Sequence, residues 1–376
     1  MKLYAAADLH LGRVPSRLPS DLPVPASELG PSAAWRALVD LCLADDADAL
    51  LLAGDLVDDE SDLFGAYADL ESGLRRLEAA GIPVVAVAGN HDVRSLPRLA
   101  RALPNLRLLG EDGRWEALDL DRGSTRVRVL GWSFPDRHVD RSPLDAPGAD
   151  LLTPSATVTL GLLHGDLDAG SSRYAPVARR DLEATGLDAW LMGHVHAPSA
   201  FDAGVRVGYL GSLAAADPGE TGPRGAWRIT LDRGDLRFER GARAPLAYET
   251  VEVDVGGADA REVLARVTEE LEGAVFGTDG ARVTGVRLRV RGAVADPDAV
   301  RRSVRLDEDG GWTLERGERV AFVHALDVAV AADYDLERLA RLDDPVGVAA
   351  RTLRTLRDPD APDRSELIAA ARERLA

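Results

Sequence analysis

The sequence predicts an α/β domain followed by a smaller α+β unit and C-terminal helices. Three observations carry this. Short, continuous apolar runs at Ala49–Ala53, Pro83–Ala88, Thr157–Leu163 and Asp188–Met192 have the pattern of strands buried on both faces. Segments of helical period flank them. One runs over 32–46, with Trp35, Leu38, Val39, Leu41 and Cys42 on one face; another runs over 62–80 and is closed by Gly81. After Arg243-Ala244-Pro245 the grammar changes to strands that alternate in polarity.

In chain order, Leu3–Ala7 reads as the first strand and the Pro- and Ser-containing stretch from Val14 to Pro31 as a loop. Glu116–Leu120 and Arg126–Leu130 read as an antiparallel pair, and 131–150 as loop. A short helix ends at Ala184, and Arg206–Tyr209 and Ala226–Leu231 close the first domain as strands. In the second unit Tyr248–Val255, Val283–Val290 and Arg319–Val330 are strand-like, while Ala258–Leu271 and Pro297–Val304 are helical. Arg287, Arg289 and Arg291 share one face of their strand, opposite Val286, Leu288 and Val290. That face either touches phosphates or is simply solvated. From Leu336 two or three helices follow, split by Pro345, Pro359 and Pro362. The expected division is 1–243, 244–334 and 335–376.

Composition narrows the class. The formal net charge is −18, which argues against unaided nonspecific binding of nucleic acid, since that depends on Lys and Arg neutralising phosphates. Cations for such a substrate must come from bound metal, local arginines or a partner. Lys2 is the only lysine. No apolar run has the length of a membrane span, and the N-terminus lacks a signal-peptide pattern. Cys42 is the only cysteine, so intramolecular disulfides are excluded, and a cytoplasmic location is expected.

Five predicted strands end in residues that carry chemistry. They deliver Asp8 and His10; Asp55 after Gly54; Asn90, His91 and Asp92 after Gly89; His164; and His194 and His196 after Gly193. Each has a plain reading alone. Asp8 and Asp55 can cap the next segment of chain, His10 can be a surface residue, and Gly193-His194-Val195-His196 can hold two solvated loop histidines. Together they converge. Of 7 histidines only His138 and His324 fall elsewhere, and those read as structural or surface residues. The carboxyl ends of strands are where α/β folds bind ligands. Nitrogen and oxygen donors without thiolate suit manganese, iron or zinc. Asp55 is placed to bridge two ions, and Asp58 to cap or brace the site. Two ions about 3.5–4 Å apart clamp phosphorus for in-line displacement, lowering the pKa of a water and stabilising the developing charge. A histidine outside the ligand set can protonate the leaving alkoxide. His91 is the candidate, with Asp92 expected to orient its imidazole and hold it charged.

The pattern Asp8-x-His10, Gly54-Asp55-x-x-Asp58, Gly89-Asn90-His91-Asp92, His164 and Gly193-His194-x-His196 resembles the calcineurin-like metallophosphoesterase superfamily. The resemblance covers residues 1 to about 240. It implies a two-sheet αββα sandwich. It also implies one metal on Asp8, His10, Asp55 and His196, a second on Asp55, Asn90, His164 and His194, and His91 as general acid.

Within that superfamily the chain is most similar to the SbcD/YhaO-type DNA repair exonucleases. The similarity rests on Asp8-Leu9-His10-Leu11-Gly12, on His164-Gly165-Asp166 with Tyr174-Ala175-Pro176, and on Tyr209-Leu210-Gly211-Ser212 followed by Gly222-Pro223-Arg224-Gly225. It implies a manganese-dependent nuclease acting on DNA, a DNA-capping role for 244–334, and homodimerisation through helices of the first domain. It also implies an SbcC-type coiled-coil ATPase as partner of the C-terminal helices. There Val346, Val348, Ala349, Leu353 and Leu356 form either a docking stripe or an internal packing face. Two alternatives stand beside this: a phosphoesterase for small-molecule or cyclic nucleotide substrates, and a non-catalytic scaffold with structural metals. A scaffold needs no general acid.

Overall fold

The computed structural model describes residues 1–58, 63–103, 105–153, 158–277, 281–305 and 312–375. Asp62 and Thr157, the expected first residues of one helix and one strand, lie outside these. The chain divides into two compact units that interleave in sequence. One is Met1–Thr250 with Val275–Arg287 and Asp307–Ala325; the other is Val251–Ala274 with Leu288–Leu306 and Leu326–Ala376.

The first unit begins β1 (Lys2–Ala6), α1 (Pro31–Ala44), β2 (Ala49–Ala53), α2 (Leu63–Ala79), β3 (Val84–Val87), α3 (Ser95–Ala102) and β4 (Leu106–Leu108). It continues β5 (Glu116–Arg122), β6 (Thr125–Trp132), β7 (Val158–His164), α4 (Arg179–Ala184), β8 (Ala189–Gly193), β9 (Val207–Tyr209), β10 (Gly225–Asp232) and β11 (Asp235–Arg243). One sheet has the order β11-β10-β1-β2-β3-β4, the other β5-β6-β7-β8-β9. In the first, β1 to β4 are parallel and the β10–β11 hairpin is added antiparallel to β1. In the second, only β5 is antiparallel.

Burial on both faces explains the unbroken apolar runs. Strand β1 sends Leu3 and Ala5 into the core between the sheets, where Leu51, Val85, Val129, Leu162 and Leu191 meet them. Its Tyr4 and Ala6 point the other way, toward Trp35, Leu38 and Val39 of α1 and Leu70, Leu74 and Leu77 of α2. Each such buried Leu contributes about 1.5–3 kcal/mol. The outer face of the second sheet is covered by Leu182 of α4 and an aromatic group of Trp115, Trp132, Phe134 and Trp190. The indole N–H of Trp190 donates to the Leu182 carbonyl at 3.0 Å, so this large side chain is buried without losing its polar partner. The layers are those of the expected two-sheet sandwich.

Strand β11 was not expected. The chain reverses at Arg233 (φ 51°) and Gly234 (φ 95°), the two left-handed positions of a tight hairpin turn. Leu236 and Phe238 alternating with Arg237 and Glu239 were the available signal. The long loop after β1 is also pinned. Val24 and Leu29 are buried with Leu246, Tyr248 and Phe322, and the Tyr248 hydroxyl donates to the Ser16 carbonyl.

The remaining elements are β12 (Leu246–Asp254), α5 (Ala260–Val275), β13 (Val283–Val294), α6 (Pro297–Ser303), β14 (Thr313–Arg316) and β15 (Arg319–Ala332). Their strands form a sheet in the order β12-β13-β15-β14. Along β13, Val286, Leu288 and Val290 are buried while Arg287 and Arg291 are exposed. Arg291 pairs with Glu252 at 3.4 Å. The helices α7 (Leu336–Leu339), α8 (Pro345–Arg357) and α9 (Arg364–Leu375) follow. Pro345 opens α8 in its first turn, where its missing N–H costs nothing, and the Asp344 side chain caps Gly347 N at 2.8 Å.

Candidate metal centre

The carboxyl ends of β1, β2, β3, β7 and β8 meet at one place, and the backbone there is held in costly conformations. Asp8 (φ 50°), His10 (φ 46°), Asp55 (φ 54°) and His194 (φ 105°) are all left-handed non-glycine residues. Each costs on the order of 1–3 kcal/mol and persists only where surrounding bonds enforce it. Asp8 N donates to Gly54 O at 3.1 Å and His10 N to Asp55 O at 3.0 Å, which ties the two strand ends together. Gly54 (φ 85°) has no room for a side chain, since a Cβ would lie 2.6 Å from His164 Nδ1 and 2.9 Å from Gly89 N. A Cβ on Gly193 would strike the Ala53 carbonyl oxygen.

Among the described residues three groups of side-chain donors have atoms within 4.8 Å of one another: Asp8, His10 and His196; Asp8, Asp55 and His164; and His10, Asp58 and His91. Asn90 joins the second, its Oδ1 lying 3.2 Å from His164 Nε2. Asp55 Oδ2 is 3.3 Å from the same nitrogen, and Asp55 Oδ1 accepts from His91 N at 2.9 Å. Asp8, His10, Asp55, Asn90 and His164 are all buried, the last completely.

The imidazoles are oriented from behind. His10 Nδ1 lies 3.0 Å from Asp58 Oδ1, His164 Nδ1 3.0 Å from the Ala53 carbonyl oxygen, and His196 Nδ1 against Glu220 Oε1. An Nδ1 proton given to oxygen leaves Nε2 as a bare lone pair, which is how metal-binding histidines are fixed. His10 Nε2 and His196 Nε2 then face each other at 3.2 Å. Two such lone pairs repel unless something positive lies with them. The second group makes the same demand: burial pushes Asp8 up, and the charge of Asp55 helps bring His164 to about 9 against its own burial. A divalent cation answers both demands, so the donor set fits a metal site.

Asp92 does not orient His91. Its carboxylate accepts from Leu56 N at 2.7 Å and Gly89 N at 2.8 Å, and complete burial together with the Asp55 charge pushes it up to about 8. It braces two strand-end loops and holds no charge on the imidazole. The partner is Asp58, whose Oδ1 lies 3.0 Å from His91 Nδ1. Burial raises Asp58, but hydrogen bonds from His10, His91 and Arg13 outweigh it and hold the carboxyl far below the usual range. The bond to Asp58 in turn raises His91.

His194 stands apart from the three groups. Its backbone N–H donates to both Asp8 oxygens, at 3.0 and 3.1 Å, while its ring Nε2 lies 3.3 Å from Asp166 Oδ1 and the ring packs on Tyr174. Burial and the neighbouring His164 push it down to about 4, so it is neutral and able to ligate. Glu220, Arg13 and Asp166 were not singled out for the site. Only Asp166, two positions after His164, had a signal in the spacing.

Parallel strand ends that bring Asp, His and Asn donors together beside a His–Asp pair define a metal-dependent phosphoesterase. The model of the calcineurin-like phosphoesterase family matches residues 1–198, and the chain belongs to that family, whose site holds two divalent metals. The chain is 29% identical over 282 residues to an uncharacterized metallophosphoesterase, YhaO, of Bacillus subtilis, covering 70% of this chain and 66% of that protein. It is 33% identical over 308 residues to the DNA double-strand break repair protein Mre11 of Haloferax volcanii, covering 77% and 61%. It is 28% identical over 268 residues to Mre11 of Aeropyrum pernix, covering 68% and 64%. The chain thus spans somewhat under two thirds of the length of these relatives.

Proposed function

We propose that the chain hydrolyses phosphodiester bonds of DNA, as an exonuclease or endonuclease of DNA repair. The observation that carries this is the convergence of Asp8, His10, Asp55, His164 and His196 beside the His91–Asp58 pair. DNA as substrate is supported by similarity to proteins named for double-strand break repair. One ion is assigned to Asp8, His10, Asp55 and His196, the other to Asp55, Asn90, His164 and His194, with manganese first and iron or zinc as alternatives. Bound there, such ions supply Lewis acidity at phosphorus and a water of lowered pKa.

The protein's own groups do the rest. Asp58, Ala53 O and Glu220 aim the three imidazoles inward. His91, its Nδ1 proton held by Asp58, gives the proton on Nε2 to the leaving oxygen. Segment 244–334, which is divided between the two units, is assigned to gripping DNA. The exposed Val346, Val348 and Leu353 of α8 are assigned to docking an SbcC-type coiled-coil ATPase. A homodimer and a cytoplasmic location complete the proposal; no helix among the described residues is long and apolar enough to cross a membrane.

The test is degradation of end-labelled single- and double-stranded DNA with manganese, with magnesium and with chelator, beside His91→Ala. Manganese-dependent cutting that the substitution abolishes supports the nuclease. Turnover of a small phosphodiester with no cutting of DNA overturns it in favour of a small-molecule phosphoesterase.

A further inference from the structure

We propose that Arg13 binds a phosphate of the substrate strand, the one next to the scissile phosphate on the leaving-group side. The inference rests on the nuclease reading and adds a substrate contact to it.

Arg13 follows the first strand-end motif and is held rigidly. Its Nε donates to Asp58 Oδ2 at 2.6 Å and its Nη2 to Asp58 Oδ1 at 3.1 Å, a two-point grip that fixes the plane of the guanidinium. The same carboxylate takes His91 Nδ1 and His10 Nδ1, each at 3.0 Å. One aspartate therefore sets the positions of a metal-ligand candidate, the proposed acid and a cation. A guanidinium has five N–H donors, and Asp58 uses two of Arg13's. No described residue accepts from the other three. The Arg13 and His91 side chains are each 35% exposed and are held by the same Asp58 carboxylate, which places the cation beside the proton-donating ring.

The other arginine that touches the site is different. Arg224 is 5% exposed; its Nη1 and Nη2 donate to the carbonyls of His196 and Thr221, and its Nε is buried with no partner among the described residues. It is a strut. Arg13 is built as a strut on one edge and left open on the other. In a chain of net charge −18, an open guanidinium beside the acid is where a polyanion gains a contact. Arg13 and His91 share the Asp58 carboxylate, so the phosphate that Arg13 meets is placed beside the acid, next to the one being cut and on its leaving-group side.

The test compares wild type, Arg13→Gln and Arg13→Lys in two measurements. The first is kcat/KM on a short DNA oligonucleotide and on bis(p-nitrophenyl) phosphate, which has no flanking phosphate. The second is binding of a fluorescent single-stranded oligonucleotide, in chelator, across a salt series. Arg13→Gln is expected to lower the ratio of DNA to small-diester kcat/KM about tenfold or more, with Arg13→Lys in between. It is also expected to reduce the slope of log K against log salt by about 0.7, the value for one lost phosphate contact. An unchanged salt slope overturns the inference even where the ratio falls, because a brace for Asp58 and His91 would also spare a diester whose leaving group needs no proton. Equal losses on both substrates overturn it as well. Wild type that turns over the small diester without binding the oligonucleotide overturns the DNA reading and this inference together.

Discussion

Asp58 Oδ1 lies 3.0 Å from His91 Nδ1, and this contact, between residues delivered by two different strands, couples the metal groups to the proposed acid. The same oxygen lies 3.0 Å from His10 Nδ1. A general acid must be protonated to act, and the Asp58 bond raises His91. Asp58→Asn removes that support, so the pH at which activity falls on the alkaline side is expected to move down. A kcat–pH profile of the two proteins checks this, and an unmoved alkaline limb would remove His91 as the acid or Asp58 as its partner.

His91→Ala is expected to slow cleavage of DNA by about 10²–10⁴-fold, the usual worth of a positioned acid. On p-nitrophenyl diesters, whose leaving group needs no proton, the loss is expected to be much smaller. His91 is not assigned as a ligand, so bound metal measured by elemental analysis should stay the same. Equal losses on both substrates would contradict the role.

Asp55 is the one carboxylate assigned to both ions. Asp55→Asn is expected to lower bound metal from two per chain toward one or none, while His196→Ala is expected to spare one ion. Chelation of wild type is expected to lower its melting temperature, because the facing Nε2 atoms of His10 and His196, 3.2 Å apart, lose the charge between them. Calorimetric scans with chelator and with manganese restored measure this. A melting temperature indifferent to metal would mean that the groups are satisfied without it.

Gly54→Ala is expected to destabilise the protein by about 2–4 kcal/mol, from a left-handed position and an overpacked contact combined. The new Cβ would sit 2.6 Å from His164 Nδ1, so metal affinity should fall as well. Denaturant unfolding beside a metal titration reads both. Gly65→Ala, where a Cβ meets nothing within 4 Å, is the control.

The layers and the residues gathered at the candidate metal centre are legible in the sequence. Strands β1, β2, β3, β7 and β8 are buried on both faces, so their apolar runs are unbroken and their ends are marked by the first polar residue. Asp8, Asp55, Asn90, His164 and His194 could be read off because each sits at the end of such a run. Which side chains pair at the site depends on packing between distant segments. Asp92 is adjacent to His91 in sequence, yet the turn after β3 sends its carboxylate to the amides of Leu56 and Gly89. Asp58 and Glu220 reach His91 and His196 across distances that no local pattern encodes. Strand β11 was missed for a related reason, since its pairing depends on a two-residue turn with an arginine in a position glycine or asparagine usually fills. Local periodicity is written by which faces of a strand are buried. The hydrogen bonds that orient a site are written by packing between segments distant in the chain.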